Sequence, residues 1–357
     1  MHYGLIHNGA PTLIDCGEYQ LPFVQGEIKN YTLCEDGDVI FADASEDTKD
    51  ICKPIEFIKT LNNKIVSGLH TIHARDIKKL TVIGFKGYLF SSYSFHKQVH
   101  KLTQGTKIFS INPSNFKEMF VGIPSVDEQK DIVGLLSKID KRIKTQIKII
   151  EDLKRVKEAI SNYIFGDKST INRSWSLINL NQILCERKEY ETKESIYPHV
   201  TLSKDGIYIK NERYNRDFLV KNEEKEYKIT RLNDICYNPA NLKFGVICIN
   251  TFGEAIFSPI YVTYVINNDY NPVFIAEYLT NKSFIGHIRK YEQGTVYERM
   301  AVSSEDFLKG KVYIPELSIQ QKIAKIFSSF DKKLELEKNI LMRYMKQKDY
   351  LLNNLFI

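Results

Sequence analysis

Asn238-Pro239-Ala240-Asn241 is the motif in this chain whose residue types come nearest to catalysis. Amino-methyltransferases hold a target amine with Asn or Asp followed by two prolines, and stack its base on the aromatic residue that follows. Here Ala stands third and Asn fourth, so the amide is present but the stacking ring is not. No G-x-G-x-x-G loop follows a strand-like run to cradle a cofactor phosphate. A polar turn at a strand end is the reading that remains. Asn238, Asn241 and Lys243 are then its candidate ligand contacts, residue types that could serve DNA, since amides can pair with adenine edges and lysines with phosphate or guanine. The matching loop of the first half holds Asp43, Ser45, Glu46 and Lys49, with Ser45 and Lys49 as its candidates.

A second polar signal occurs twice. Gln104-Gly105-Thr106 is followed by Lys107, and Gln293-Gly294-Thr295 by Tyr297 and Arg299. Each set offers the donors and acceptors that base edges and phosphates need. His96 and His100 stand four apart in a helical stretch, a metal-compatible spacing. His70 and His73 lie in a strand-like run. Neither pair has a nearby Glu or Cys in its motif, so half-buried polar histidines and no metal are expected. Glu223-Glu224 belongs to a charged run, which reads as a solvated face. The six cysteines form no C-x-x-C pair, and reduced, mostly buried thiols follow. No catalytic residue is assigned.

These residues must be positioned by something, and the chain supplies it by repeating. Ile123-Pro124 returns as Ile314-Pro315, a shift of 191 residues. At that shift Gln129 meets Gln320, Ile132 meets Ile323, Leu135 meets Ile326, Asp140 meets Asp331 and Phe165 meets Phe356. More loosely, Gly37-Asp38-Val39-Ile40-Phe41 resembles Asn233-Asp234-Ile235-Cys236-Tyr237.

The repeated segment reads as one long helix in each copy. Apolar residues from Ile132 to Ile164 recur at steps of three and four, with no proline from Ser125 to Phe165. About 39 such residues span roughly 58 Å. The second stripe is less regular, with Lys338 and Gln347 where the first has Ile147 and Val156. Two one-faced helices are best satisfied by an antiparallel coiled coil with a globular domain at either end. Spare apolar width at Leu135, Leu136 and Ile139, and at Ile326, Phe327 and Phe330, marks a candidate interface for partner helices. Pro124 and Pro315 suit the first helical turn, with Asp127 and Ser318 as N-caps. Before each helix, short β-branched and aromatic runs at 64–74, 246–249 and 260–266 predict strands, and 88–102 and 273–291 predict helices. The fold class is therefore α/β in the α+β sense, two mixed domains and two long helices with a pseudo-twofold internal repeat.

Fifty basic against 44 acidic residues give a net charge of +6, which permits nucleic-acid binding without requiring it. No apolar run is long enough to span a bilayer and no signal peptide opens the chain, so a cytoplasmic protein with no membrane partner is expected.

The pairing of Ile-Pro, a short gap, Gln and an amphipathic helix resembles the specificity subunits of type I restriction-modification enzymes. It stands here as 123–132 and again as 314–323, each time after a globular segment, and the likeness covers almost the whole chain. The resemblance implies target-recognition domains at 1–122 and 169–313 and conserved helical regions at 123–168 and 314–357. It implies a bacterial or archaeal, non-catalytic subunit that reads a split target in double-stranded DNA. Two modification subunits would bind the helices and methylate adenine, and restriction subunits could join them. S-adenosylmethionine, ATP and Mg are then expected on those partners and none in this chain. One departure stands out: Met1-His2-Tyr3-Gly4 aligns with Tyr197-Pro198-His199-Val200, leaving Trp175 to Ile196 without a counterpart. A missing opening strand would expose a sheet edge and part of the first core. The rival readings are a structural coiled-coil adaptor without DNA specificity and a degenerate methyltransferase.

Overall fold

The computed structural model describes the chain except residues 25, 27–30, 49, 62, 106, 167–174, 193–194, 205, 210–225, 295–299 and 357. It divides into two units: residues 1–148 with 338–357, and residues 149–337.

In the first unit, helix α1 (Tyr3–His7) precedes strands β1 (Leu13–Asp15), β2 (Val39–Ala42), β3 (Ala44–Ser45), β4 (Pro54–Lys59) and β5 (Thr71–Ala74). The sheet runs β1-β4-β2-β5, with β1 parallel to β4 and the other pairs antiparallel. All four residues of β2 are buried, as an apolar run in a central strand must be. The stretch expected as one helix from 88 to 102 is two, α2 (Phe85–Leu89) and α3 (Tyr93–Leu102). They part at Ser92, whose side chain accepts from the Phe95 amide and caps α3. Strand β6 (Phe109–Ser110) then pairs with β3.

Helix α4 (Val126–Phe165) contributes to both units, as does α9 (Leu317–Asn354). The periodicity predicted these helices well, but not their caps. Ser125 caps α4 through the Glu128 amide, while Asp127 lies inside the first turn and pairs with Lys130. Ser318 is likewise inside α9, donating to Glu316. Pro124 and Pro315 each stand one residue before the cap position, closing the extended approach rather than opening the helix.

In the second unit, β7 (Ser176–Asn179), α5 (Leu180–Ile183) and β8 (Leu184–Glu186) follow one another directly. Strands β9 (Tyr190–Glu191), β10 (Val200–Ser203), β11 (Gly206–Ile209), β12 (Tyr227–Thr230), β13 (Ile235–Tyr237), β14 (Ile247–Ile249), β15 (Ala255–Phe257) and β16 (Val262–Ile266) succeed them. The main sheet runs β14-β13-β16-β8. Helices α6 (Pro272–Thr280), α7 (Lys282–Ile288) and α8 (Ser304–Leu308) lead to β17 (Lys311–Ile314), which pairs with β7.

The long helices pair antiparallel within each unit. In the first, Ile132 and Leu136 of α4 share a core with Leu352 and Phe356 near the end of α9. In the second, Phe165 stacks on Phe327 at 6.0 Å. The repeat is kept in detail. Phe85 meets Phe356 at 5.7 Å in one unit, and Phe274 meets Phe165 at 5.5 Å in the other. The side chain of Gln129, buried, accepts from the Val82 amide and donates to the Leu80 and Pro124 carbonyls. Gln320 does the same with the Asn271 amide and the Pro315 carbonyl. A glutamine satisfies a donor and an acceptor at once, which explains why that residue type occurs in both copies.

Candidate nucleic-acid interface

In the second unit, β13 is followed by Asn238, which caps a 3₁₀ helix, Pro239–Phe244. Asn238 is nearly buried, and its Oδ1 accepts from the Ala240 and Asn241 amides at 3.1 and 3.3 Å. Its side chain therefore caps the turn and does not project as a reader, a correction to its candidacy. Asn241 and Lys243 are exposed, with the Lys243 ammonium 5.1 Å from the ring of Phe244, also exposed. Gly245 closes the turn at φ 80°.

The second Gln-Gly-Thr loop lies beside this turn. Gln293 and Ala301 exchange both backbone hydrogen bonds, and the Val302 amide donates to the Pro239 carbonyl. Gln293 spends part of its amide on Asp306 at 2.8 Å. That carboxyl is held below the usual range first by Lys309 and then by Ser303. Residues 50 apart in sequence thus share one surface, with Asn241, Lys243 and Gln293 on it.

The first unit repeats the juxtaposition. Strands β3 and β6 bring the 43–50 loop against the 104–110 loop, and Gln104 and Ser110 exchange backbone hydrogen bonds as Gln293 and Ala301 do. Gly105 has φ 124°, and a Cβ there would lie 2.0 Å from the Ile108 carbonyl oxygen. Only glycine closes this loop. Gln104 and Lys107 are exposed. Ser45 is buried, its Oγ accepting from the Asp47 amide at 3.1 Å, because β3 pairs inward with β6. It too is a loop-former rather than a projecting contact. Lys49, Thr106, Thr295, Tyr297 and Arg299 lie outside the described residues.

Both loops hang on a turn that the sequence reading passed over. Asp38, buried ahead of β2, accepts from the Glu35 amide and receives Arg75 through Nε at 2.9 Å and Nη2 at 2.7 Å. Asp234, ahead of β13, accepts from the Arg231 amide and receives Arg187 at 2.8 and 3.0 Å. Burial alone would raise the Asp38 carboxyl, but Arg75, the Glu35 amide and His73 hold it below its ordinary value. The preceding residues, Gly37 and Asn233, both have positive φ. The Gly-Asp and Asn-Asp dipeptides were the available signal, since these residue types tolerate that backbone.

Cys34, Asp38 and His73 gather within 4.8 Å, a set of metal-ligand types. Burial pushes the Cys34 thiol up to about 11, and Arg75 already occupies the carboxylate. A thiol that resists ionisation beside a guanidinium is poorly made for a cation. His96 is half-buried and pushed down to about 4, by burial and then by His100.

Sequence comparison names the family of this doubled scaffold. The model of the type I restriction modification DNA specificity domain matches residues 25–155 and again 177–343. The chain belongs to that family. A Mycoplasma genitalium protein assigned as a type I specificity subunit is 24% identical over 294 residues, covering 75% of this chain and 70% of that protein. The fold is also that of solved type I proteins. The S subunit crystal structure from M. genitalium superposes with a TM-score of 0.53 at 17% identity, covering 93% of this chain and 86% of the other. A chain from a study of complex assembly and conformational transition in the type I system gives 0.58 at 10% identity, covering 92% and 84%.

Within a type I specificity chain the long helices carry a second candidate surface. Leu136 and Phe327 are fully buried and Ile139 nearly so, each in packing within its own unit, while Phe330 is half-buried. The three buried ones are a correction: Leu136 packs with Leu352 and Phe356, Phe327 stacks on Phe165, and Ile139 has little surface left for a partner. Leu135 and Ile326, equivalent in the repeat, remain 43% and 45% exposed. Among the described residues no helix is long and apolar enough to cross a membrane.

Proposed function

We propose that this chain reads a two-part sequence in double-stranded DNA on behalf of adenine-modification subunits and catalyses no step itself. The observation that carries the reading is the repeated loop pair. Each unit sets a loop from the end of its central strand beside a Gln-Gly loop closed by two backbone hydrogen bonds. Asn241, Lys243 and Gln293 in one unit, and Gln104 and Lys107 in the other, supply amides for base edges and cations for phosphate or guanine. Thr106, Thr295, Tyr297, Arg299 and Lys49 extend these sets in sequence. A repeated reader matches a split target, one half to each unit.

Two modification subunits, carrying S-adenosylmethionine, would dock on the helices at Leu135 and Ile326. Restriction subunits, carrying ATP and Mg, could complete the complex in the cytoplasm of a bacterium or archaeon. Family membership and the exposed repeat-related pair support this arrangement.

The test is sequencing of modified bases in cells that carry this gene and its modification subunit, with and without the gene. A split adenine-methylated motif that disappears with the gene is expected. Unchanged methylation, with the chain still co-purifying with the modification subunit, would favour an adaptor without DNA specificity. Tight S-adenosylmethionine binding by the isolated chain would favour a degenerate methyltransferase.

A further inference from the structure

Phe244 is the last residue of the 3₁₀ turn after β13, and it is 63% exposed. The turn fixes where its ring stands. Leu242 is fully buried and anchors the turn in the core of the unit. The Gly245 amide donates to the Leu242 carbonyl at 2.8 Å, and the Asn238 amide donates to the Val246 carbonyl at 3.0 Å. The ring is therefore carried on backbone that is bonded on both sides of it.

Its neighbours are those of the candidate interface. Asn241 and Lys243 share the turn, and the Lys243 ammonium stands 5.1 Å from the ring. The Gln293 loop is tied to the same turn through the Val302 amide and the Pro239 carbonyl. The turn itself holds no acid. The two acids beside Gln293 are engaged, Glu292 by Arg289 at 3.0 and 3.2 Å and Asp306 by Lys309 at 2.7 Å. The matching loop of the first unit, residues 43–50, has no aromatic residue and no apolar side chain larger than Ala44. A single exposed apolar side chain is ordinary on a protein surface. This one is set among amides and a cation suited to base edges and phosphate. Of the groups that the four unmodified bases present in the major groove, one is apolar, the C5-methyl of thymine.

We propose that Phe244 contacts the C5-methyl group of a thymine in the half-site read by the second unit, and thereby selects that base over cytosine. The inference rests on the DNA reading above and deepens it by one specificity-determining residue. The amides of Asn241 and Gln293 suit adenine, which offers a donor and an acceptor side by side. Thymine offers a single acceptor and the methyl group, so an apolar contact is what distinguishes it. Lys243, next to the ring, meets the phosphate charge that comes with any such approach. The 43–50 loop supplies no equivalent contact to the other half-site.

The experiment measures binding of the complex of this chain with its modification subunit to a duplex bearing the split motif found by sequencing modified bases. The half read by the second unit is the one that changes when Asn241, Lys243 and Gln293 are replaced with Ala. Deoxyuridine then replaces thymine in that half, which removes the methyl group and keeps every hydrogen-bonding group. The native complex should bind this duplex about fourfold more weakly, the worth of one buried methyl group. The complex carrying Phe244→Ala, a change at an exposed position that leaves the core intact, should bind the two duplexes alike. Equal binding of both duplexes by the native complex overturns the proposal, as does a loss that persists in Phe244→Ala. A half-site without thymine also overturns it. In each of these cases the native complex still prefers the motif to a scrambled duplex, and the DNA reading stands. No such preference would remove that reading and this inference with it.

Discussion

Asp140 accepts Lys348 at 2.6 Å, and one repeat later Asp331 accepts Lys157 at the same distance. Each aspartate comes from one long helix and each lysine from the other, with the roles exchanged between units. The surroundings differ. Asp140 also receives the Tyr88 hydroxyl, whereas Lys157 also holds the half-buried carboxyl of Glu277 at 2.7 Å. Burial raises the Glu277 carboxyl and Lys157 opposes the rise. Replacing Lys157 with Ala strands that carboxyl and is expected to cost roughly 3 kcal/mol. Lys348→Ala, which leaves Asp140 half-solvated and bonded to Tyr88, should cost about 1 kcal/mol. Denaturant unfolding separates the two, and adding Glu277→Gln should recover most of the larger loss.

Gln129 and Gln320 are the other exchanged pair. Gln129→Leu leaves the Val82 amide and the Leu80 and Pro124 carbonyls without partners, a loss of roughly 2–3 kcal/mol. Gln320→Leu leaves the Asn271 amide and the Pro315 carbonyl and should cost somewhat less. Hydrogen exchange should place each defect in its own unit.

The exposed helix positions are expected to behave oppositely to their buried neighbours. Leu135→Lys or Ile326→Lys should change stability by less than about 0.5 kcal/mol yet abolish co-purification with the modification subunit. Leu136→Lys buries a charge and should unfold the first unit. Retained co-purification in the Leu135→Lys, Ile326→Lys double variant would remove this surface from the account.

His96 provides a pH signature. Burial and His100 hold its imidazole neutral down to about 4, against an ordinary value of 6.5. Its Nδ1 is buried without a hydrogen-bond partner. The unfolded chain therefore binds a proton that the folded chain refuses between those values. The neutral form's stability is fully present above 6.5 and is lost as the pH falls toward 4. Unfolding measured at neutral pH and near pH 5 should show this decline in the native chain and a smaller one in His96→Gln.

The long helices were legible because apolar residues recur at steps of three and four after each of two proline-marked starts, regularly in the first copy and with breaks at Lys338 and Gln347 in the second. The repeat was legible because Gln129, Asp140 and Phe165 each return 191 residues on. The N-caps were misplaced because Ser125 and Asp127 are both good capping residues, and only backbone geometry chooses between them. Asp38 and Asp234 were missed because their arginines stand just past other strands of the unit, 37 and 47 residues away in sequence. Ser45 and Asn238 looked available as readers because composition marks a polar loop but not which way its side chains turn. Leu136 and Phe327 were assigned to a partner because a wide apolar stripe does not say which of its edges the chain itself uses.

The most direct test of the central claim replaces Asn241, Lys243 and Gln293 with Ala and sequences the modified bases in cells carrying the modification subunit. The account predicts that one half of the split motif becomes degenerate or changes while the other half is retained. Methylation of the unaltered motif, or equal relaxation of both halves, would contradict the assignment of these loops as the reader of one half-site.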